Sequence, residues 1–206
     1  LKLSADFLNK NKNMDLKQVK ELRDSTGASV IDCRNALEES KGDFEKAQEI
    51  LKQKGQSIAD KKETRETKAG LIDAYIHLNG KVGVLIDLRC ETDFVAKNPL
   101  FKELSHDLTL QIAAMSPIYI SPTDIPEEMV NKEREKYQQE LKDSNKPEKI
   151  INQIIEGKLQ KWYQEICLIR QPFIKNPDQM IDDILKEYIA KIGENIKINR
   201  FVRFEI

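Results

Sequence analysis

The chain has little of what most catalysts, membrane proteins and nucleic-acid binders are built from. Its 206 residues hold two histidines, three cysteines and one tryptophan. Cys33, Cys90 and Cys167 are odd in number and far apart, with no CxxC pair and no Cys/His zinc spacing. A disulfide framework is therefore not expected, and a reducing compartment is the simpler reading. No apolar run approaches membrane-spanning length. The opening Leu1-Lys2-Leu3-Ser4 carries no signal-peptide core, and the missing initial Met reads as processing or trimming. Neither sign of charge is in surplus: 34 Lys+Arg stand against 35 Asp+Glu, a net charge of -1. That argues against a general phosphate-backbone binder. There is no Gly-rich phosphate loop either; Thr26-Gly27-Ala28-Ser29 lacks both its spacing and its lysine.

What is present points to helix. Charged residues make up 33% and aromatics 6%, and the length allows one medium domain or two small ones. Residues 1–13, polar and without period, read as a mobile lead-in. Three short helices are expected over 14–55. Asp15 and Gln18 have capping-box spacing, and Leu16, Val19 and Leu22 form a stripe closed by Gly27. Ser29 caps a second helix whose buried face is expected to be Val30, Cys33, Ala36 and Leu37. Asp43 caps a third, with Phe44, Ala47, Ile50 and Leu51 inward. Residues 56–68 are almost wholly polar or charged and read as a linker or solvated helix at a domain boundary.

Residues 69–206 read as one α+β domain. Ile72, Ala74, Ile76 and Leu78 alternate with Asp73, Tyr75 and His77, while Val82, Val84, Ile86, Leu88 and Cys90 alternate with Gly83, Leu85, Asp87 and Arg89, and Asn79-Gly80 marks the hairpin. A three-residue loop, with Ile76 opposite Val82, keeps both apolar sets on one face and is the expected register. Helices follow: one from Pro99 along Phe101, Leu104, Leu108, Ile112 and Met115, a charged one from Pro126, and one from Pro147 punctuated at Gly157. Pro172 and Pro177 bound a short extended piece, and Ile181, Ile184, Leu185, Tyr188 and Ile192 lead to Gly193. A last strand spans 197–206, with Ile198, Val202, Phe204 and Ile206 expected on one face. The fold class is α+β: a three-helix bundle, then a three-stranded antiparallel sheet covered by helices.

A catalytic centre is hard to assemble from these parts. By the expected strand parity His77 faces away from Cys90, so they make no nucleophile–base pair. His106 falls on the polar side of its helix, and the carboxylates lie among neighbouring lysines as solvated charge. No metal or cofactor is expected, and an enzyme is not.

The residues that stand out are those the fold does not need. Thr92-Asp93-Phe94-Val95 lies between a strand and the helix start Asn98-Pro99, where a ring can project from a rigid base. Phe94 is either such a projection or a staple folded back on the next helix. Asp93 either acts with it or caps the turn. Ile31 lines up with Asn35 and Glu38, off the bundle face, as a scattered surface residue or as the edge of a contact.

Taken with their neighbours, these residues resemble one family. Val19-Lys20-Glu21-Leu22-Arg23, Thr26-Gly27-Ala28, Asp32-Cys33-Arg34 and Gly42-Asp43 look like the N-terminal module of elongation factor Ts. Cys90-Glu91-Thr92-Asp93-Phe94-Val95-Ala96 looks like that family's central signature. Lys191-Ile192-Gly193-Glu194-Asn195-Ile196 and Phe201-Val202-Arg203-Phe204-Glu205 match its C-terminal pattern. The blocks run collinearly over 14–206.

The resemblance implies a guanine-nucleotide exchange factor for the translational GTPase elongation factor Tu, with a ubiquitin-associated-like bundle as its docking domain. It implies that Thr92, Asp93, Phe94 and Val95 act in magnesium dislocation, with Asp93 and Phe94 as the intruding pair. Arg23, Val30, Ile31, Arg34, His77 and Ile174 fall at further contact positions. Val30-Ile31 replaces the family's usual Met-Met, and Arg34 its Lys. There is room for one core, as in short members that dimerise, which implies a two-to-two complex. The face opposite the helices, with Leu85 and Phe201, is the expected dimer face. No direct nucleic-acid or membrane partner is implied. The location is a bacterial cytoplasm or the matrix or stroma of an organelle of bacterial descent. The rival readings are a ubiquitin-associated-like scaffold without exchange activity and an enzyme built on Cys90.

Overall fold

The computed structural model describes residues 16–142, 144 and 147–206. The lead-in 1–13 and the cap Asp15 lie outside them. Two compact units emerge. Of the described residues, the first comprises those through Arg65 together with Lys186–Asn195, and the second those of Glu66–Leu185 with Ile196–Ile206.

In the first unit α1 (Leu16–Thr26), α2 (Val30–Glu39) and α3 (Phe44–Lys62) form the bundle. Ser29 and Asp43 cap α2 and α3, each side chain accepting the N–H three residues on at 3.1 Å. Val19, Leu22, Cys33, Ala36, Leu37, Ala47 and Leu51 make the core, with Ala28, Phe44 and Ile50 partly buried against it. Two expected members are missing from it. Leu16, in the first turn of α1, is exposed, and so is Val30, the first residue of α2. α3 runs on through residues 56–62, so the polar stretch is largely helix.

The C-terminal family pattern has a structural task here. Gly27 closes α1 at φ +68°, where an L side chain is strained, and it lies beside the Lys191 stem, whose Cε would be 2.8 Å from a Cβ there. Asn195, nearly fully buried, donates to the carbonyls of Glu63 (3.2 Å) and Arg65 (2.8 Å). It thereby satisfies backbone groups just past the end of α3.

The second unit holds an antiparallel sheet in the order β1 (Ala69–Ile76), β2 (Val82–Cys90), β5 (Ile196–Glu205). Between β2 and β5 come α4 (Asp93–Ala96), α5 (Pro99–Met115), α6 (Glu127–Leu141) and α7 (Glu148–Ile166). A small hairpin, β3 (Pro172–Phe173) and β4 (Asn176–Met180), follows, then α8 (Ile181–Ile192). α7 passes Gly157 unbroken. The extended piece near Pro172 is a hairpin of its own, which the apolar pattern did not announce.

The β1–β2 register differs from the expected one. Ile76 stands opposite Gly83, not Val82. The apolar sets of the two strands therefore lie on opposite faces. Leu71 and Tyr75 share the covered face with Val84, Ile86 and Leu88, and Phe101, Leu104, Leu108 and Ile112 of α5 are buried in this unit. Gly70 contributes to this pairing, because a Cβ there would meet the Leu88 carbonyl oxygen at 2.2 Å.

β5 brings a second correction. The register shifts between Asp87 and Leu88, which face Arg200 and Ile198 and leave Asn199 over as a bulge. One extra residue reverses the parity of everything after it. Ile198 is buried opposite Leu88. Val202 and Phe204 lie on the open face with Leu85, while Phe201, opposite Ile86, belongs to the covered face rather than the expected dimer face.

Candidate functional site

The Thr92 turn is braced from below and bare on top. β2 ends at Cys90, which is fully buried and whose thiol donates to the Thr92 carbonyl at 3.2 Å. Thr92 is extended and begins the single helical turn α4 without a side-chain cap. The Ala96 N–H donates to the Thr92 carbonyl at 3.2 Å, and Asn98 N–H to that of Val95 at 2.9 Å. Asn98 then caps α5 by accepting the Leu100 N–H at 2.9 Å. Val95 and Ala96 are buried and anchor the turn, whereas Thr92 and Asp93 are exposed and Phe94 is 89% exposed. The staple reading of Phe94 therefore falls. A fixed backbone presents a bare aromatic ring.

In the first unit, Val30 (52%) and Ile31 (71%) are both exposed at the start of α2. The expectation had placed only Ile31 outside. The reason is local: Cys33, Ala36 and Leu37 already fill the bundle side, and Val30 sits in the unpaired first turn. Arg34 is exposed one turn on, its Nε donating to Glu38 at 3.0 Å. Arg23 lies in the exposed last turn of α1. Val30 and Ile31, with Arg34 one turn on along the same helix, make a small apolar and basic patch suited to a partner with apolar and acidic groups.

His77 is exposed beside the hairpin, its Nδ1 2.9 Å from the Tyr75 hydroxyl. Tyr75 also meets the His106 ring edge-on, at 6.3 Å between centroids. Both histidines of the chain thus gather on Tyr75, which strand alternation alone did not single out. The observed register puts His77 on the same face as Cys90, contrary to the expected parity. They still stand at opposite ends of β1–β2, His77 level with Val82, about 25 Å from Cys90 at about 3.3 Å per residue. Phe94 and His77 are likewise not brought together. Ile174 is partly exposed in the turn between β3 and β4.

Sequence reasoning missed Asp87. It projects from the open face yet is nearly fully buried, because Arg89 grips it with Nε at 2.5 Å and Nη2 at 3.0 Å, and the bulge residue Asn199 donates at 2.8 Å. Arg200 Nε lies 3.6 Å away. The Arg89 bonds, helped by Asn199, hold its carboxyl below the usual range against the opposing effect of burial. Two charged residues spaced i, i+2 on a strand were the available signal; the bulge that supplies Asn199 had none.

Burial pushes the Cys33 thiol up and the Cys167 thiol to about 11, which keeps both out of thiolate chemistry near neutral pH. Among the described residues no group of three or more His, Cys, Asp or Glu side chains is placed to hold a metal ion. No described helix is long and apolar enough to cross a membrane.

Comparison with known proteins agrees with the residues above. The family model described as elongation factor TS matches residues 4–206. Elongation factor Ts of Thermosipho melanesiensis is 52% identical over 190 residues, covering 92% of this chain and 97% of that protein. That of Thermodesulfovibrio yellowstonii is 52% identical over 188 residues, covering 91% and 94%. That of Thermotoga maritima is 50% identical over 194 residues, covering 94% and 96%. With the exposed ring on its braced turn and this similarity along nearly all of its length, the chain belongs to the elongation factor Ts family of translation elongation factors.

Proposed function

We propose that this chain is a guanine-nucleotide exchange factor for elongation factor Tu, not a catalyst of bond chemistry. The observation that carries the reading is Phe94, 89% exposed on a backbone that hydrogen bonds hold fixed. The mechanism is coupling. GDP and magnesium stabilise one arrangement of the GTPase's phosphate site. A partner that binds better to the arrangement lacking them must weaken them by the same factor. Phe94 supplies differential affinity by entering a pocket open only in the displaced arrangement. Burying a Phe contributes roughly 1.5–3 kcal/mol, which at tenfold per about 1.4 kcal/mol is one to two powers of ten in GDP release. The remaining acceleration falls to Thr92 and Asp93 beside it and to Arg23, Val30, Ile31, Arg34, His77 and Ile174. Val95 serves from below by holding the turn.

The open sheet face supports the homodimer reading. Ile72, Ile76, Leu85, Val202 and Phe204 are exposed together on it. The second copy of this chain is its proposed cover, giving a two-to-two complex. With no nucleic-acid or membrane partner proposed, the bacterial relatives favour the cytoplasm as its location.

The test is release of fluorescent GDP from the GTPase. Catalytic amounts of the chain should accelerate it, and Phe94→Ala should reduce the acceleration at least tenfold, as loss of about 1.4 kcal/mol or more requires. The exposed site makes the unfolding midpoint indifferent to this change. Unchanged GDP release with the wild-type chain sinks the reading. The exposed Val30-Ile31 pair also suits a ubiquitin-associated-like scaffold. Capture of a ubiquitin-like protein, with no capture of the GTPase, would favour that alternative.

A further inference from the structure

Gln111 is fully buried on α5 and has no part in the sites above. Its amide carbonyl accepts the Ile174 N–H at 2.9 Å. Its amide nitrogen donates to the Pro172 carbonyl and to Gln171 Oε1, both at 3.1 Å. Gln171, also fully buried, has its own orientation fixed by donating to the carbonyls of Glu165 (3.1 Å) and Met115 (3.4 Å). One turn earlier on α5, Asp107 takes Lys175 at 2.5 Å. Both residues of the turn 174–175 are thus tied to one helix.

That turn needs outside support. Neither Ile174 nor Lys175 has a positive φ, so the connection is not one of the primed turns that match the twist of hairpin strands. Its strands pair through only Pro172–Met180 and Phe173–Asn176, with an irregularity between them, and so short a ladder is not stable by itself. We infer that Gln111 is a positioning residue for partner binding, holding Ile174 as a preformed contact for the GTPase. The inference rests on the exchange-factor reading of Ile174 and adds the residue that sets it. A preformed contact binds without the cost of ordering a loop. The chemistry asks for glutamine. One donor and two acceptors meet this side chain, and only a neutral amide answers both. A carboxylate of the same shape would set oxygen against oxygen, and leucine would leave the Ile174 N–H and the Pro172 carbonyl unpaired.

The experiment titrates GDP release against chain concentration for wild type, Gln111→Leu, Gln111→Glu, Ile174→Ala and the surface variant Lys175→Met. Amide hydrogen exchange at Ile174 is followed in the free chains. Both Gln111 variants should raise the half-saturating concentration about tenfold while keeping the maximal release rate within about twofold. Lys175→Met should move it in the same direction by less, and it reports even if the core variants fail to fold. The Ile174 amide should exchange slowly in wild type and faster in the variants. Combined with Ile174→Ala, Gln111→Leu should add little, because both act on one contact. Half-saturation unmoved in folded variants, full additivity, or fast exchange of the wild-type Ile174 amide overturns the inference while leaving the exchange reading intact. A wild-type chain that releases no GDP overturns the exchange reading itself, and this inference with it.

Discussion

The two faces of the β1–β2–β5 sheet are built from similar residues and have opposite fates. On one, Val84, Ile86, Leu88 and Cys90 are almost wholly removed from water. On the other, Ile72, Ile76, Leu85, Val202 and Phe204 remain in it, with Phe204 66% exposed. Composition does not separate these sets. The helices that cover one face do, and so does the register that decides which residues meet there. The open face also carries a nearly buried carboxylate, Asp87, enclosed by Arg89 and Asn199.

The largest expected effect comes from the covered face. Leu88→Ala should lower unfolding stability by about 2–5 kcal/mol, the usual cost of a core leucine cavity, read from denaturant midpoints. A loss under about 1 kcal/mol, as at a surface site, would mean the covered face packs no better than the open one. Next is Asp87. Its depressed carboxyl contributes stability that is complete above the ordinary unfolded value of about 3.9 and is lost as pH falls through the lower folded value. Asp87→Asn should cost about 1–3 kcal/mol at neutral pH, with a smaller further loss in acid than wild type shows. A pH profile parallel to that of wild type would refute the linkage. The smallest effect on the single chain is expected at Phe204→Ser, within about 0.5 kcal/mol. Its mark should appear in sedimentation instead, as weakened self-association. A chain that sediments as a monomer with or without the change would return the open face to ordinary surface.

Much of the first unit could be read residue by residue. Ser29 and Asp43 cap helices, Gly27 closes one, and the stripes through Cys33–Leu37 and Ala47–Leu51 find each other, because helix signals are local. Val30 and Leu16 went astray for the same reason. A stripe extends by periodicity into end turns where no neighbour waits to bury it. In the second unit the strands were legible and their partnership was not. Turn residues alone did not distinguish the two hairpin registers, and the bulge at Asn199 carried no local mark. Its one residue brought Phe201 to the covered face beside Ile198 and turned Val202 and Phe204 to the open one.

The Thr92 turn shows the same division. Strand alternation up to Cys90 and the Asn98-Pro99 helix start determine, without any tertiary information, that Asp93 and Phe94 fall on a strand-to-helix turn. Caps, helix stripes and strand alternation likewise determine an α+β chain with a small helical bundle at its start. Only tertiary structure decided that Phe94 stands in water, since a ring beside a helix is equally able to fold back. That outcome depends on Val95, Ala96 and the Cys90 thiol fixing the backbone from beneath. Tertiary structure also decided which sheet face stays open and that a buried glutamine on α5 holds the Ile174 turn. These depend on contacts between residues distant in the chain, whose energies no local pattern encodes.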